Sequence, residues 1–95
     1  MKALSEIEIN QKLKALPEWE FVDNTLYCEI EFDNFKDCFS AMSRMAFECE
    51  AQNHHPDWSN TYNLLTISLT THDADGVTQK DFDLAKAIEA IVEEE

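Results

Sequence analysis

The sequence predicts an α+β domain in which a four-stranded antiparallel sheet carries three helices on one face. Three observations lead there. Two stretches, Trp19 to Phe32 and about Trp58 to Thr70, alternate apolar and polar residues with the period of two that marks a half-buried strand. Three other stretches repeat apolar residues at helical spacing. The chain has 95 residues, a length that suits one domain burying roughly 60–70% of its unfolded surface.

Ser5, followed by Glu6, Ile7 and Glu8, predicts a helix start, and Leu13, Leu16 and Pro17 mark that helix's apolar side and its end. Trp19-Glu20-Phe21-Val22, the turn-prone Asp23-Asn24 and the alternating Leu26, Cys28, Ile30 and Phe32 predict a β-hairpin with one wet face. Asp33 or Asn34 is placed to cap a second helix, with Phe35, Cys38, Phe39, Met42, Met45, Ala46 and Cys49 as its apolar positions. In the run from about Trp58 to Thr70, Leu65, Ile67 and Leu69 face one side and Thr66, Ser68 and Thr70 the other. Its earlier part carries Tyr62 and Leu64 on the polar side, which predicts cover by another subunit. Whether this run is one long strand or two is open at the level of sequence; the four-stranded count takes it as two. Gly76, the only glycine, sits in the turn Asp73-Ala74-Asp75-Gly76. Thr78 with Asp81 three residues on is close to a capping box, and the helix it opens has Phe82, Ala85, Ile88, Ile91 and Val92 as its stripe, fraying at Glu93-Glu94-Glu95. Residues 1–95 form a single domain on this reading.

Composition narrows the function classes. Seven Lys and Arg against 20 Asp and Glu give a net charge of −13, which repels phosphate backbones and anionic lipid. Direct binding to nucleic acid or membrane is therefore not expected. Cys28, Cys38 and Cys49 are odd in number and lack the close pairs of zinc sites, which predicts free thiols in a reducing compartment. The amino terminus lacks an apolar run of signal-peptide length, and no stretch nears the roughly 20 apolar residues of a membrane span. A cytoplasmic location is expected.

The three histidines nominate an active site, because imidazole exchanges protons near neutrality. Two stand together in Asn53-His54-His55-Pro56, and the third in Thr71-His72-Asp73. Pro56 drives His55 into an extended conformation, where adjacent side chains point to opposite sides. His54 and His55 lie between the second helix and the following strand run, and His72 lies just past the far end of that run. They can share one pocket only if the strand before His72 runs beside another strand or the pocket draws on the turn after His72. Zinc ligation by imidazoles with Glu50, Asp57 or Asp73 is the competing reading, but no pair has the helical spacing of short zinc motifs. Trp58 and Tyr62 read first as core or interface aromatics, and Asp81 as a helix-start residue.

From Glu50 to Ala87 the chain resembles the pterin-4a-carbinolamine dehydratase family. The resemblance is carried by Glu50, Asn53-His54-His55-Pro56-Asp57-Trp58, Tyr62-Asn63, Leu69-Thr70-Thr71-His72-Asp73, Gly76-Val77-Thr78 and Asp81-Phe82-Asp83-Leu84-Ala85. The earlier Leu16-Pro17-Glu18-Trp19 and Phe32-Asp33-Asn34-Phe35 extend it over most of the chain.

The resemblance implies a hydro-lyase that dehydrates a 4a-hydroxytetrahydropterin to the quinonoid dihydropterin, in the service of an aromatic amino acid hydroxylase. It implies no cofactor and no metal, since the reaction moves protons without a redox step. His54, His55 and His72 are carried over as acid–base and substrate-holding groups. Glu50, Pro56, Trp58, Thr71, Asp73, Ala74 and Asp81 are carried over as substrate-binding residues. Within that set, amides around Thr71-His72-Asp73-Ala74 face the pterin's pyrimidine edge, His54-Pro56 closes the other side, and Glu50 orients an imidazole. A homo-oligomer, dimer or tetramer, is implied as well. Some relatives imply a different role, that of a protein-binding dimerisation cofactor or transcriptional coactivator without direct DNA contact.

Overall fold

The computed structural model describes residues 1–94; Glu95, the last residue of the end expected to fray, lies outside the described residues. The elements are α1 (Glu6–Lys12), a 3-10 turn (Leu13–Ala15), β1 (Glu20–Val22), β2 (Thr25–Glu31), α2 (Phe35–Gln52), β3 (Asp57–Thr61), β4 (Leu64–Leu69), a second 3-10 turn (His72–Ala74) and α3 (Gln79–Glu93). The sheet order is β1-β2-β4-β3, every neighbour antiparallel.

Each helix starts where a side chain can satisfy its orphan amides. Ser5 and Glu8 form a capping box on α1, Asn34 Oδ1 accepts from the Asp37 amide at 2.8 Å on α2, and Thr78 with Asp81 forms a second capping box on α3. The choice between Asp33 and Asn34 thus falls to Asn34. Glu93 is the last residue of α3 and Glu94 its C-cap, so the helix reaches further into the acidic end than expected.

β1 and β2 are joined by Asp23 (φ 51°) and Asn24 (φ 62°), the doubly left-handed turn that matches the twist of a two-residue hairpin. The run from Trp58 to Thr70 is likewise a hairpin rather than one long strand. Tyr62 (φ 53°) reverses the chain, and Asn63 pins the reversal to the end of β2 through its Nδ2 on the Phe32 carbonyl at 2.8 Å. Asp57 consequently pairs with Ser68, which brings the start of β3 beside the end of β4.

Alternation sorts the strands. Leu26, Cys28, Leu65, Ile67 and Leu69 are buried on the helical side, together with Cys38, Ala41, Met45 and Cys49 of α2, Phe82, Leu84, Ala85 and Ile88 of α3, and Ile9 of α1. Trp19 closes one end of this core and donates its indole N–H to Glu89 of α3 at 2.8 Å. The other face of the sheet is mostly polar, with Val22 and Leu64 exposed on it; Ser59 and Thr66 hydroxyls pair across β3 and β4 at 2.6 Å.

One expectation from periodicity needs correction. Phe35 and Phe39 do not belong to the buried stripe of α2: they are 47% and 54% exposed, with ring centroids 5.7 Å apart. The buried positions 38, 41, 45 and 49 keep a narrow seam, and the phenylalanines lie on its flank, so the helix is apolar over more of its circumference than this domain covers. Gly76 has no positive φ; Asp75 (φ 54°) takes the left-handed place in its turn. Glycine is required at 76 for room instead, because a Cβ there would stand 2.9 Å from the Ala3 Cβ.

Candidate active site

The site begins with how α2 ends. Asn53 adopts the left-handed conformation (φ 53°, ψ 43°), the Asn53 amide reaches the Glu50 carbonyl at 3.2 Å, and the His54 amide reaches the Cys49 carbonyl at 3.0 Å. These two bonds are those of a Schellman ending, which turns the chain sharply off the helix axis. Extension at His55 then separates the neighbouring imidazoles: the His54 side chain is 10% exposed and that of His55 59%.

His54 turns inward onto Asp81, which has no exposed surface. Its Nε2 lies 2.5 Å from Asp81 Oδ1. Oδ2 of the same carboxylate accepts from the Thr78 amide and from the Thr71 hydroxyl, each at 2.9 Å. Thr71 and Thr78 hydroxyls are 2.7 Å apart, and Thr78 also accepts from the Lys80 amide at 3.2 Å. With the Thr71 proton committed to Asp81, the Thr78 hydroxyl donates to Thr71. An ionised carboxylate can only accept, so the His54 proton on this side sits on Nε2, leaving Nδ1 for a ligand. His55 behaves differently: its Nε2 meets Glu50 Oε1 at 3.0 Å in an exposed pair, a solvent-screened tether rather than a clamp.

His72 opens the 3-10 turn that follows β4, and Thr71 is tied across that turn to Gly76 in a short bridge. Because β3 and β4 fold back on each other, His54–Pro56 and Thr70–His72 come to the same end of the sheet. A cavity of about 440 Å³ lies there. Of the residues the sequence nominated, His54, His55, Pro56, Thr71, His72 and Asp73 line it. Glu50, Trp58, Ala74 and Asp81 stand outside its walls, Glu50 and Asp81 as partners of His55 and His54. Trp58 is half-buried on the helical side of β3, opposite Ile67 and against the core, as its aromatic bulk alone suggested.

Three lining residues were not nominated: Asn53, Thr70 and Lys80. Asn53 and Thr70 belong to the quoted motifs but read there as backbone punctuation and strand polarity. Lys80 gave no signal, since a lysine in a first helical turn looks like solvated surface. The turn itself uses the amides of Thr71 and Ala74, on the Gly76 and Thr71 carbonyls, so of the four amides expected to meet a ligand only those of His72 and Asp73 are not consumed by it.

The cysteines take no part. All three are free and buried, and burial raises each thiol's pKa, that of Cys28 to about 12 with Glu89, Glu18 and Glu29 adding to the effect. Such thiols are poor nucleophiles. Among the described residues no group of three or more His, Cys, Asp and Glu is arranged to hold a metal ion, and no helix is long and apolar enough to cross a membrane.

The model of the family described as pterin 4 alpha carbinolamine dehydratase matches residues 2–91. The chain belongs to that family. A relative from Christiangramia forsetii, provisionally named a pterin-4-alpha-carbinolamine dehydratase, is 56% identical over 93 residues, 98% of this chain and 96% of its own length. One from Solibacter usitatus with the same provisional name is 48% identical over 88 residues, covering 93% of each chain. Among solved structures, the transcriptional coactivator/pterin dehydratase from Brucella melitensis is 36% identical and superposes with a TM-score of 0.92 over 95% of this chain and 98% of that one. The four-stranded antiparallel sheet with three helices is thus the fold of a pterin dehydratase.

Proposed function

We propose that this protein dehydrates a 4a-hydroxytetrahydropterin to the quinonoid dihydropterin and water. In that reaction the C4a–O bond breaks, the N5–H bond gives up its electron pair to form C4a=N5, the hydroxyl leaves as water with an added proton, and the N5 proton passes to a base. No electron is exchanged with another molecule, so proton donors and acceptors held around a flat ring are what the chemistry needs.

The observation that carries the reading is the convergence of His54, His55 and His72 on one cavity, from positions up to 18 residues apart (72 − 54). His54, fixed through Asp81, suits a group with a defined protonated nitrogen. His55 and His72 are exposed enough to exchange protons with water between turnovers. The His72 and Asp73 amides supply donors for a pyrimidine edge. The enzyme acts, on this reading, in the cytoplasm on the spent pterin of an aromatic amino acid hydroxylase, and three free cysteines fit a reducing compartment.

The test is the loss of carbinolamine absorbance with and without the protein. The expected result is acceleration that varies across about pH 5 to 8, where imidazoles titrate. His54→Ala and His72→Ala should each cost roughly 10²–10⁴ in rate. A rate the protein does not change overturns the proposal, and variants as fast as the parent remove those histidines from it.

A second reading is favoured by the Brucella neighbour, whose name couples dehydratase with coactivator, and by the exposed Phe35 and Phe39. On that reading the chain also binds a protein partner, without touching DNA, which its charge of −13 repels. We propose further that the chain assembles as a homotetramer through such apolar faces. Both are compatible with catalysis, because the phenylalanines are not part of the cavity's walls.

A further inference from the structure

We propose that Asn24, in the turn between β1 and β2, is the positioning residue for His72; this rests on the dehydratase reading above and adds to it a side chain 48 residues (72 − 24) from the imidazole it serves.

The three imidazoles are not held alike. His54 has the Asp81 carboxylate and His55 the Glu50 carboxylate. The His72 ring is exposed and has no hydrogen bond or ion pair among the described residues. Its place at the cavity is therefore set by the backbone of the turn that carries it.

That turn owes its shape to its own bonds. Thr71 pairs with Gly76, the Ala74 amide reaches the Thr71 carbonyl at 3.0 Å, and the Asp75 amide reaches the His72 carbonyl at 3.1 Å. These fix the shape without fixing where the turn stands against the sheet. The Thr71 hydroxyl anchors its start to Asp81 at 2.9 Å. Asn24 supplies the anchor on the other side: its Nδ2 donates to the Asp75 carbonyl at 3.1 Å, and its own carbonyl accepts from Thr70 Oγ1 at 3.4 Å. The Asn24 side chain also reaches Gly76 closely, since a Cβ added there would stand 3.5 Å from Asn24 Oδ1. One asparagine thus holds the chain on either side of His72.

The hairpin does not need an asparagine for its own sake. Asp23 and Asn24 both have positive φ, and in such a two-residue turn the second position favours glycine, which takes that conformation without a Cβ. Asparagine at 24 makes the turn less favourable and adds a donor that glycine lacks. A local preference set aside beside a candidate site points to a task for the side chain.

Two variants separate the brace from the turn. Asn24→Gly keeps the left-handed backbone and removes the donor, whereas Asn24→Asp keeps the side chain's shape and turns an acceptor toward the Asp75 carbonyl. Thermal melts of Asn24→Gly should match or exceed the parent's, yet both variants are expected to lower kcat for carbinolamine dehydration about fivefold, the factor that one neutral hydrogen bond corresponds to. In a His72→Ala background neither should lower it further, because the imidazole being positioned is gone. Proton–carbon NMR spectra of the imidazoles give a readout that needs no turnover: the His72 ring resonances should shift in both variants while those of His54 and His55 hold. Unchanged His72 resonances, a parental kcat in both variants, or an equal loss of kcat with and without His72 overturns the assignment of Asn24 and leaves the dehydratase reading intact. A parent protein that does not accelerate the reaction overturns that reading, and the spectra alone then decide whether Asn24 places His72.

Discussion

A carboxylate without exposed surface needs every strong donor around it, and Asp81 has three, from His54, Thr71 and the Thr78 amide. The same side chain therefore caps α3, braces the strand end at Thr71 and fixes an imidazole. Asp81→Asn replaces one acceptor oxygen with an NH₂ group that faces donors, and should destabilise the fold by about 1–3 kcal/mol. Denaturant unfolding checks that figure. In activity the expected signature is a fall in kcat with KM nearly held, because His54 loses its fixed tautomer while the cavity walls stay in place. An equal rise in KM with kcat unchanged would instead make Asp81 a simple wall support. Glu50→Gln should do far less, since the His55 pair it breaks is open to solvent.

Cys28 gives a second prediction at this scale. Its folded pKa, about 12, lies above its ordinary value of 9.0, so the folded state holds the thiol proton where the unfolded chain has lost it. Stability from this group is complete below about pH 9 and falls as pH rises from there toward 12. Cys28→Ala should flatten that alkaline fall in a series of unfolding curves, and an identical fall in the variant would assign it to other groups.

At the level of elements, the ending of α2 aims the His54-His55 pair. Asn53 holds a left-handed conformation that most residues adopt at a cost of roughly 1–2 kcal/mol, and asparagine tolerates it better. Asn53→Gly should keep stability near the parent's, whereas Asn53→Ala should lower it by about 1 kcal/mol, as thermal melts would show. The hairpin turn at Tyr62-Asn63 matters as much, for it turns a run that periodicity alone reads as one strand into two. Its signals are present, an asparagine at 63 and a polar stretch from Ser59, yet they are weaker than the unbroken alternation around them. The helix caps were legible because each is a local pattern of three or four residues. The composition of the α2 seam was not, because a helix with apolar residues on two adjoining strips does not announce which strip its own domain will cover.

For the whole molecule, the exposed strip of Phe35 and Phe39 bears on assembly. A tetramer of 11.0 kDa chains has a mass of about 44 kDa (four times 11.0), which light scattering on a gel-filtration peak resolves from smaller species. Phe39→Glu places a charge on that strip and should shift the peak toward dimer or monomer without unfolding the chain, since the side chain is 54% exposed. A parent protein that runs as a monomer, or a variant with the parent's mass, overturns that assembly.

The chain's sequence determined the alternation and helical spacing, the caps at Ser5 and Thr78 and, to within one residue, that of α2, and the identity of the three imidazoles, because each depends on residues within one or two turns of chain. Tertiary structure alone decided that Asp81 meets His54 from 27 residues away and that Lys80 joins the cavity wall. Those outcomes depend on which buried faces meet, and burial is settled by the whole core at once rather than by any stretch of it.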